Sequence, residues 1–473
     1  YPYLLGLTYY LFGENHFLSR LPGLLSGLLS IWLIFKATKL ITPQKSNLPY
    51  VMASLYAVNP ILIYFESRLL LDFLTVPLSL LIFIFSLRWY DNRKITNIFF
   101  AGLVIGIFCI TRPNVLIFIP FFFLWLLRSQ PKSLLLTLFS LILGIMIPIL
   151  PVTTNNLLHD SKAIVSTQGG INFYIGNNPE SNGYSAVFPD LGASWHYSDV
   201  ARLAQEDSNF AENFSKTTPD NISSYYYKKG IKFWSDHPLK ATVLFLKKTF
   251  LLFNNIFIGN NGHISYYALF SPILKMPDPI ILFLPFALIG MFFMGCNKRE
   301  SIIPIYFVPM AFGITLFFIN TRFKLPLYAP VFMSASYYFD SFYKNISPIF
   351  VKWKTLLFLL LFIIIFSIDF FDINDNLRPN HNYIKANSLL SDGKFNKAAE
   401  YYHLTLEESP DFPGANLNLG LISFIDGDYD QAVKYFIKEI PLFYNASKAL
   451  SNIGVIARLN NDFDNAERYG LEA

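Results

Sequence analysis

The 473-residue chain is 53% hydrophobic and 18% aromatic, with 49 Phe, and only 15% of it is charged, where soluble domains carry about 25% charged residues. That balance excludes an ordinary soluble domain and indicates a polytopic membrane protein. The net charge of +5 is explained by basic cytoplasmic loops and implies no nucleic-acid partner; the two cysteines, Cys109 and Cys296, stand far apart without metal-type spacing.

The chain opens "YPYLLGL" with no charged leader or cleavage site, so no signal peptide is legible and the start reads as a cut inside a longer protein. Apolar runs long enough to cross a bilayer, alone or with neighbours, are expected near 2–12, 17–41, 50–64, 69–89, 98–111, 114–127, 133–152, 278–296, 302–320, 325–340 and 354–371. With alternating spans, the basic loops "FKATKLITPQK", "RWYDNRK", "RSQPK", "CNKRE" and "YKNISPIFVKWK" fall on one side, which the positive-inside rule makes the cytoplasm. The other side receives "FGENH", "FESR", "TRPN", the polar segment 153–242, "NTRFK" and everything after residue 371. Segment 243–258 carries Lys247 and Lys248, and a full crossing there would invert the "CNKRE" loop, so an interfacial or re-entrant helix is expected.

Beyond 371 the composition changes. "GKFNKAAEYY", "GDYDQAVKYF" and "NDFDNAERYG" recur with a period of 34, repeating Ala398, Ala432 and Ala466 and the aromatics Phe395, Tyr429 and Phe463. Ala386, Gly420 and Gly454 occupy the small position of the first helix, and Pro410 closes the first unit. This resembles the tetratricopeptide repeat, a helix-turn-helix unit needing small residues where its helices cross. The expected fold is all-α: a transmembrane helical bundle at 1–371, in which 153–277 is mostly extracytoplasmic loop with an interfacial helix, then repeats over 379–473, the last incomplete.

Ionisable groups are expensive inside a bilayer, at roughly 3 kcal/mol each, so they gather at interfaces or polar cavities. The outer-side set is Glu66, Arg68, Asp72, Arg112, Asn155, Arg322 and Lys324. Arg and Lys can grip a lipid phosphate, and carboxylates can take a proton or coordinate a divalent ion. Each residue also has a plainer use. Asp72 can cap a helix, Glu66 and Arg68 can form an idle surface pair, Arg322 and Lys324 can snorkel, and the Asn-rich "YIGNNPE" can be a turn. His16, His159, His196, His237 and His263 share no ligand spacing, so no histidine metal site is assigned. Asn213, Asn221, Asn345 and Asn445 open N-x-[ST] triplets that read as incidental.

Three stretches, "YPYLLGLTYYLFGENHFLSRLPGLLSGLLSIWLIF", "NPILIYFESRLLLDFLTVPLSLL" and "STQGGINFYIGNNPESNGY", resemble in order and spacing the polytopic GT-C glycosyltransferases that use polyprenyl-phosphate sugars. That class includes the dolichyl-phosphate-mannose protein mannosyltransferases and the bacterial aminoarabinose transferases, and the resemblance extends over 1–340. It implies a catalytic role for Asp72, with Glu66 and Arg68 as neighbouring substrate contacts. It also implies donor-phosphate contacts from Arg322 and Lys324 in "NTRFKLP", and substrate contacts from Asn177 and Asn178. The family's principal carboxylate precedes its proline-rich segment, of which only Pro2 remains, so the general base is expected upstream of Tyr1. Further implied are inversion of configuration, a divalent cation (Mg or Mn) as possible cofactor, a lipid, glycan or protein acceptor, and a bacterial inner membrane. The repeats would lie on the extracytoplasmic side and bind a protein partner. Rival readings are an O-antigen ligase or polymerase, which would carry catalytic Arg and His in a late large loop, and a non-enzymatic scaffold presenting the repeats.

Overall fold

The computed structural model describes residues 2–15, 17–189, 191, 196–214, 216–259, 264–268, 271–344, 349–442 and 446–473; His16, His263, Asn345 and Asn445 lie outside them. Among the described residues the secondary structure is helical, with no β-strand. The order begins α1 (Pro2–Phe12), α2 (Leu21–Ile41), α3 (Leu48–Ala57), α4 (Pro60–Glu66), α5 (Thr75–Asn92), α6 (Ile95–Thr111), α7 (Phe118–Arg128) and α8 (Leu134–Leu158). The middle holds α9 (Gly169–Gly176), α10 (Tyr197–Glu206), α11 (Ser208–Asn213), α12 (Pro219–Asp236), α13 (Pro238–Phe253) and α14 (Ile264–Ala268). Next come α15 (Ile280–Cys296), α16 (Ile302–Leu316), α17 (Thr321–Lys324), α18 (Tyr328–Lys344) and α19 (Ile349–Ser367). The chain ends with α20 (Ile373–Ser391), α21 (Phe395–Glu408), α22 (Ala415–Ile425), α23 (Tyr429–Glu439), α24 (Ala446–Leu459) and α25 (Phe463–Glu472).

Contacts divide the chain into two compact units. One is Tyr1–Ala186, Ala201–Gly259 and Ser271–Ile368; the other is Val187–Val200, Asn260–Phe270 and Asp369–Ala473. In the first unit, Leu18–Ile41, Leu71–Asn92 and Leu134–Leu158 are long and apolar enough to cross a membrane. So is the pair α3 and α4 taken together, bent by 58°. The bend is written as Asn59-Pro60: a residue before proline avoids the helical region, and Asn59 sits at ψ 118° with its side chain capping Ile61 N and Leu62 N. Several remaining apolar helices are shorter than the sequence runs suggested. At 17 and 15 residues, α15 and α16 reach ~26 and ~22 Å at 1.5 Å per residue, because extended and turn residues interrupt each run.

Backbones touch where side chains vanish. A Cβ on Gly102 or Gly106 of α6 would lie 2.4 Å from the carbonyl of Leu141 or Ile145 on α8, the close approach that small residues permit between membrane helices.

Four of the basic loops share one end of this bundle. Arg299 grips Asp91 with both arms (2.6 and 2.7 Å), reaches Glu300 at 2.8 Å and donates to the Leu40 carbonyl at 3.1 Å. Trp125 Nε1 donates to the Lys298 carbonyl at 3.1 Å, and Arg128 to that of Gly295 at 2.8 Å. The ends of α2, α5, α7 and α15 are thereby tied together, as the assignment of their basic residues to one side requires.

In the second unit, α20/α21, α22/α23 and α24/α25 form successive helix pairs, each turn carrying one left-handed residue at the 34-residue spacing: Gly393 (φ 72°), Gly427 (φ 81°) and Asn461 (φ 61°). Asparagine is the side chain that best tolerates the glycine conformation. Ala386, Ala398 and Ala432 are fully buried, and a Cβ on Gly420 would lie 2.5 Å from the Phe436 ring. Buried Glu439 accepts the backbone N–H groups of Gly414 and Leu417 at the start of α22, where a helix favours negative charge.

On the polar segment, Asp207 caps α11 through Asn209 N at 2.9 Å, accepts the Tyr225 hydroxyl from α12, and lies 3.4 Å from Lys229 Nζ. The Tyr225 hydrogen bond first, then those from Asn209, hold its carboxyl down at about 2.

Two outcomes test these ties. Arg299→Ala strands buried Glu300 and is expected to cost about 3 kcal/mol, read as a lower denaturation midpoint in detergent, with Arg299→Lys recovering part of the loss. Because the folded carboxyl of Asp207 lies below its ordinary value of about 4, its stabilising contribution is complete above that value and is lost as pH falls toward 2. Asp207→Asn should therefore flatten the acid limb of the stability profile between about pH 4 and 2, as followed by Trp fluorescence.

Candidate functional site

The "LLLDFL" stretch forms a 3-10 turn that leads into α5. Asp72 is 5% exposed, and its carboxylate caps neither element; instead it forms an ion pair with Arg112. Arg112 follows α6 in an extended conformation imposed by Pro113 (φ −142°, ψ 92°), which aims its side chain back across the bundle. Its Nη2 meets the Arg322 carbonyl at 3.5 Å, and both guanidiniums lie over the Phe323 ring, at 5.1 and 5.0 Å. The early acidic and late basic segments thus converge, with Arg112 between them.

The charge does not balance. Asp72 is one carboxylate beside two guanidiniums, and the Nε of Arg322 is buried without a hydrogen-bond partner. Burial first, then the nearby Arg322 charge, pushes Arg112 down to about 9, still cationic at neutral pH, and burial lowers Arg322 as well. A net positive, partly dehydrated cluster fits a phosphate oxyanion, which a planar guanidinium can bind with two parallel hydrogen bonds.

Lys324 does not join Arg322. Positions i and i+2 on a helical turn point about 200° apart, and both residues sit on the short helix α17. The Lys324 ammonium turns away to the Asn254 carbonyl at 2.8 Å. There it lines a small pocket with Asp278 and Tyr328, and burial pushes it down to about 7 against the opposing pull of Asp278. Asp278 is held by Asn59 Nδ2 at 2.9 Å, by Ile280 N at 3.0 Å and by the Tyr328 hydroxyl. The sequence hid this node, since Asn59 and Asp278 are 219 residues apart.

Glu66 faces α2 rather than Asp72: it accepts the Tyr56 hydroxyl at 2.9 Å, and its Oε2 fills the space a Cβ on Gly27 would need. Arg68 places its guanidinium 5.6 Å from the Tyr64 ring centre.

The glycine motif after α8 explains itself by distance. A Cβ on Gly170 would lie 1.8 Å from the Ser223 carbonyl, and one on Gly176 2.5 Å from the Phe317 backbone, so α9 is wedged between α12 and the end of α16. Asn177 closes the wedge. Its amide donates to the carbonyls of Phe173 (2.8 Å) and Leu316 (2.7 Å), while its oxygen accepts from Trp234 Nε1 (3.0 Å) and Lys248 Nζ (3.2 Å). An amide has two donor hydrogens and two acceptor sites, so Asn177 has nothing left to offer a substrate. Asn178 donates to Tyr174 and Ile175 and accepts from Glu180 N. Both asparagines shape the wall rather than reach into the space beside it.

That space is a cavity of about 570 Å³ lined by Arg112, Asn114, Gln168, Asn172, Tyr227, Phe317, Phe318 and Phe323 among others, within the size range of small-molecule sites. Arg112 and Phe323 connect it to the charge cluster. Gln168 and Asn172 lie in the quoted glycine- and asparagine-rich stretch, but the sequence does not single them out as contacts and does not mark Tyr227 at all, because the three converge only once α9 packs on α12.

Among the described residues no group of three or more His, Cys, Asp or Glu stands ready to hold a metal ion, and the Asp72 carboxylate is paired with Arg112.

The first unit is thus an all-α bundle with membrane-type helices and a cationic cluster beside a cavity. Residues 1–155 match the family model described as dolichyl-phosphate-mannose-protein mannosyltransferase, so the first third of the chain is similar to membrane glycosyltransferases. No curated protein matches the chain.

Arg112→Ala would leave Asp72 buried and unpaired. It should lower stability by about 3–5 kcal/mol, with Asp72→Asn in the same chain restoring most of the loss; a pair of single substitutions costing no more than the double would show that the two side chains do not depend on each other.

Proposed function

We propose that the protein is a membrane glycosyltransferase that moves a sugar from a polyprenyl-phosphate donor to an extracytoplasmic acceptor. The observation that carries this reading is that Arg112, at the wall of the 570 Å³ cavity, is paired with the carboxylate of Asp72 and meets the Arg322 segment, in a chain whose first 155 residues are similar to mannosyltransferases.

The donor phosphate sits on the two guanidiniums, its chain running out between the apolar helices. An acceptor hydroxyl attacks the anomeric carbon, the bond from that carbon to the phosphate oxygen breaks, and the electron pair leaves on the lipid phosphate. Arg112 and Arg322 neutralise the charge that grows there, and fixed cations in a low-dielectric site act without reorganisation cost. The acceptor proton passes to a general base other than Asp72, whose carboxylate is paired with Arg112 and holds that guanidinium at the phosphate. Lys324 and Asp278 set the position of α17 against the broken helix α3/α4. Glu66 and Arg68 shape the approach to this end of the bundle.

In this reading the end with Arg299 faces the cytoplasm of a bacterial cell, α13 lies at the opposite interface, and the 34-residue helix pairs are tetratricopeptide repeats presenting a surface to a protein partner. The basic loops and the periodic Gly393, Gly427 and Asn461 turns support both points.

The test is sugar transfer from a polyprenyl-phosphate hexose by the full chain in proteoliposomes. Arg322→Ala is expected to lower the rate on the order of 100-fold, with Arg322→Lys between it and the unsubstituted chain; an undiminished rate in Arg322→Ala rules the mechanism out.

A further inference from the structure

Arg112 brings the edge of the charge cluster into the 570 Å³ cavity, and the rest of its described lining is uncharged. Arg112 is the one lining side chain charged at neutral pH; facing it are Asn114, Gln168, Asn172 and the Tyr227 hydroxyl, over a floor that includes Phe317 and Phe318. The contrast with the neighbouring Asn177 is chemical. Asn177 spends all of its hydrogen-bonding capacity on protein groups, whereas the side-chain amides of Asn114, Gln168 and Asn172 make no protein hydrogen bond among the described residues. Gly169 keeps this side open, because a Cβ there would lie 2.4 Å from the Tyr227 hydroxyl.

Resting on the glycosyltransferase reading, we infer that this cavity is the sugar subsite and that it selects an uncharged, hydroxyl-rich sugar over one bearing a protonated amine. Amides both donate and accept, so they pair with hydroxyls of either orientation, and the aromatic rings offer an apolar face to the C–H side of a sugar ring. A cationic sugar finds no carboxylate in the lining and is repelled by Arg112. Specificity is then a matter of charge rejection as much as of attraction.

The experiment measures binding of three probes at neutral pH to the full chain in phosphatidylcholine nanodiscs: bare polyprenyl phosphate, its neutral hexosyl ester and its amino-sugar ester. Bare lipid phosphate should bind in an Arg322-dependent way, and the hexosyl ester should bind at least about tenfold tighter than the amino-sugar ester. Gln168→Ala and Asn172→Ala should each weaken the hexosyl ester by about five- to tenfold, the value of one hydrogen bond, and leave bare lipid phosphate unchanged. Gln168→Glu, which adds a carboxylate at the same size, should raise affinity for the amino-sugar ester. If bare lipid phosphate binds through Arg322 but the two sugar esters bind equally, or the alanine variants bind the hexosyl ester undiminished, the subsite inference fails while the donor reading stands. If bare lipid phosphate does not bind through Arg322, both fail.

Discussion

The ion pair between Asp72 and Arg112 is the contact on which this end of the bundle depends. Neither charge could be held so far from water alone: an isolated carboxylate or guanidinium in a medium of low polarity costs several kcal/mol even after relaxation. Once paired, the two fix the turn before α5 against the segment after α6, and the backbone carbonyl of Arg322 closes the triangle. The surplus positive charge stands at the edge of the cavity, where Arg112 lines it.

Close backbone approach supplies the rest of the architecture. Gly102 and Gly106 let α6 lie against α8, Gly170 and Gly176 let α9 slide between α12 and α16, and Gly27 yields its side-chain space to Glu66. In each case a glycine stands where another backbone or a buried side chain must pass. The glycine-rich motif is therefore a packing device that builds the cavity wall, and Asn177 holds the wedge shut from behind through Lys248 and Trp234.

The Lys324 ammonium and the Asp278 carboxylate form a second buried polar set, distinct from the cluster around Arg112. The Asp278 bond to Asn59 braces the helix break at Asn59-Pro60, so the bend is anchored by the segment before α15 as well as by the early sequence that encodes it. The two polar sets flank α17, which is how four residues of helix can present one cation to each.

Much of the fold was legible in the sequence. Hydropathy gave the helices, the asymmetry of Lys and Arg gave the shared end that Arg299 fastens, and the 34-residue period gave the paired helices with their left-handed turns. These are properties of neighbouring residues, and local physics expresses them directly. What only the tertiary structure decided was which charges meet. Arg322 and Lys324, two positions apart and read as one phosphate grip, diverge because a helical turn sends them to opposite sides, while Asp72 and Arg112, 40 residues apart in the chain, are brought together. Such pairings depend on how helices cross and on where a missing Cβ lets backbones touch, and a linear pattern carries no measure of either.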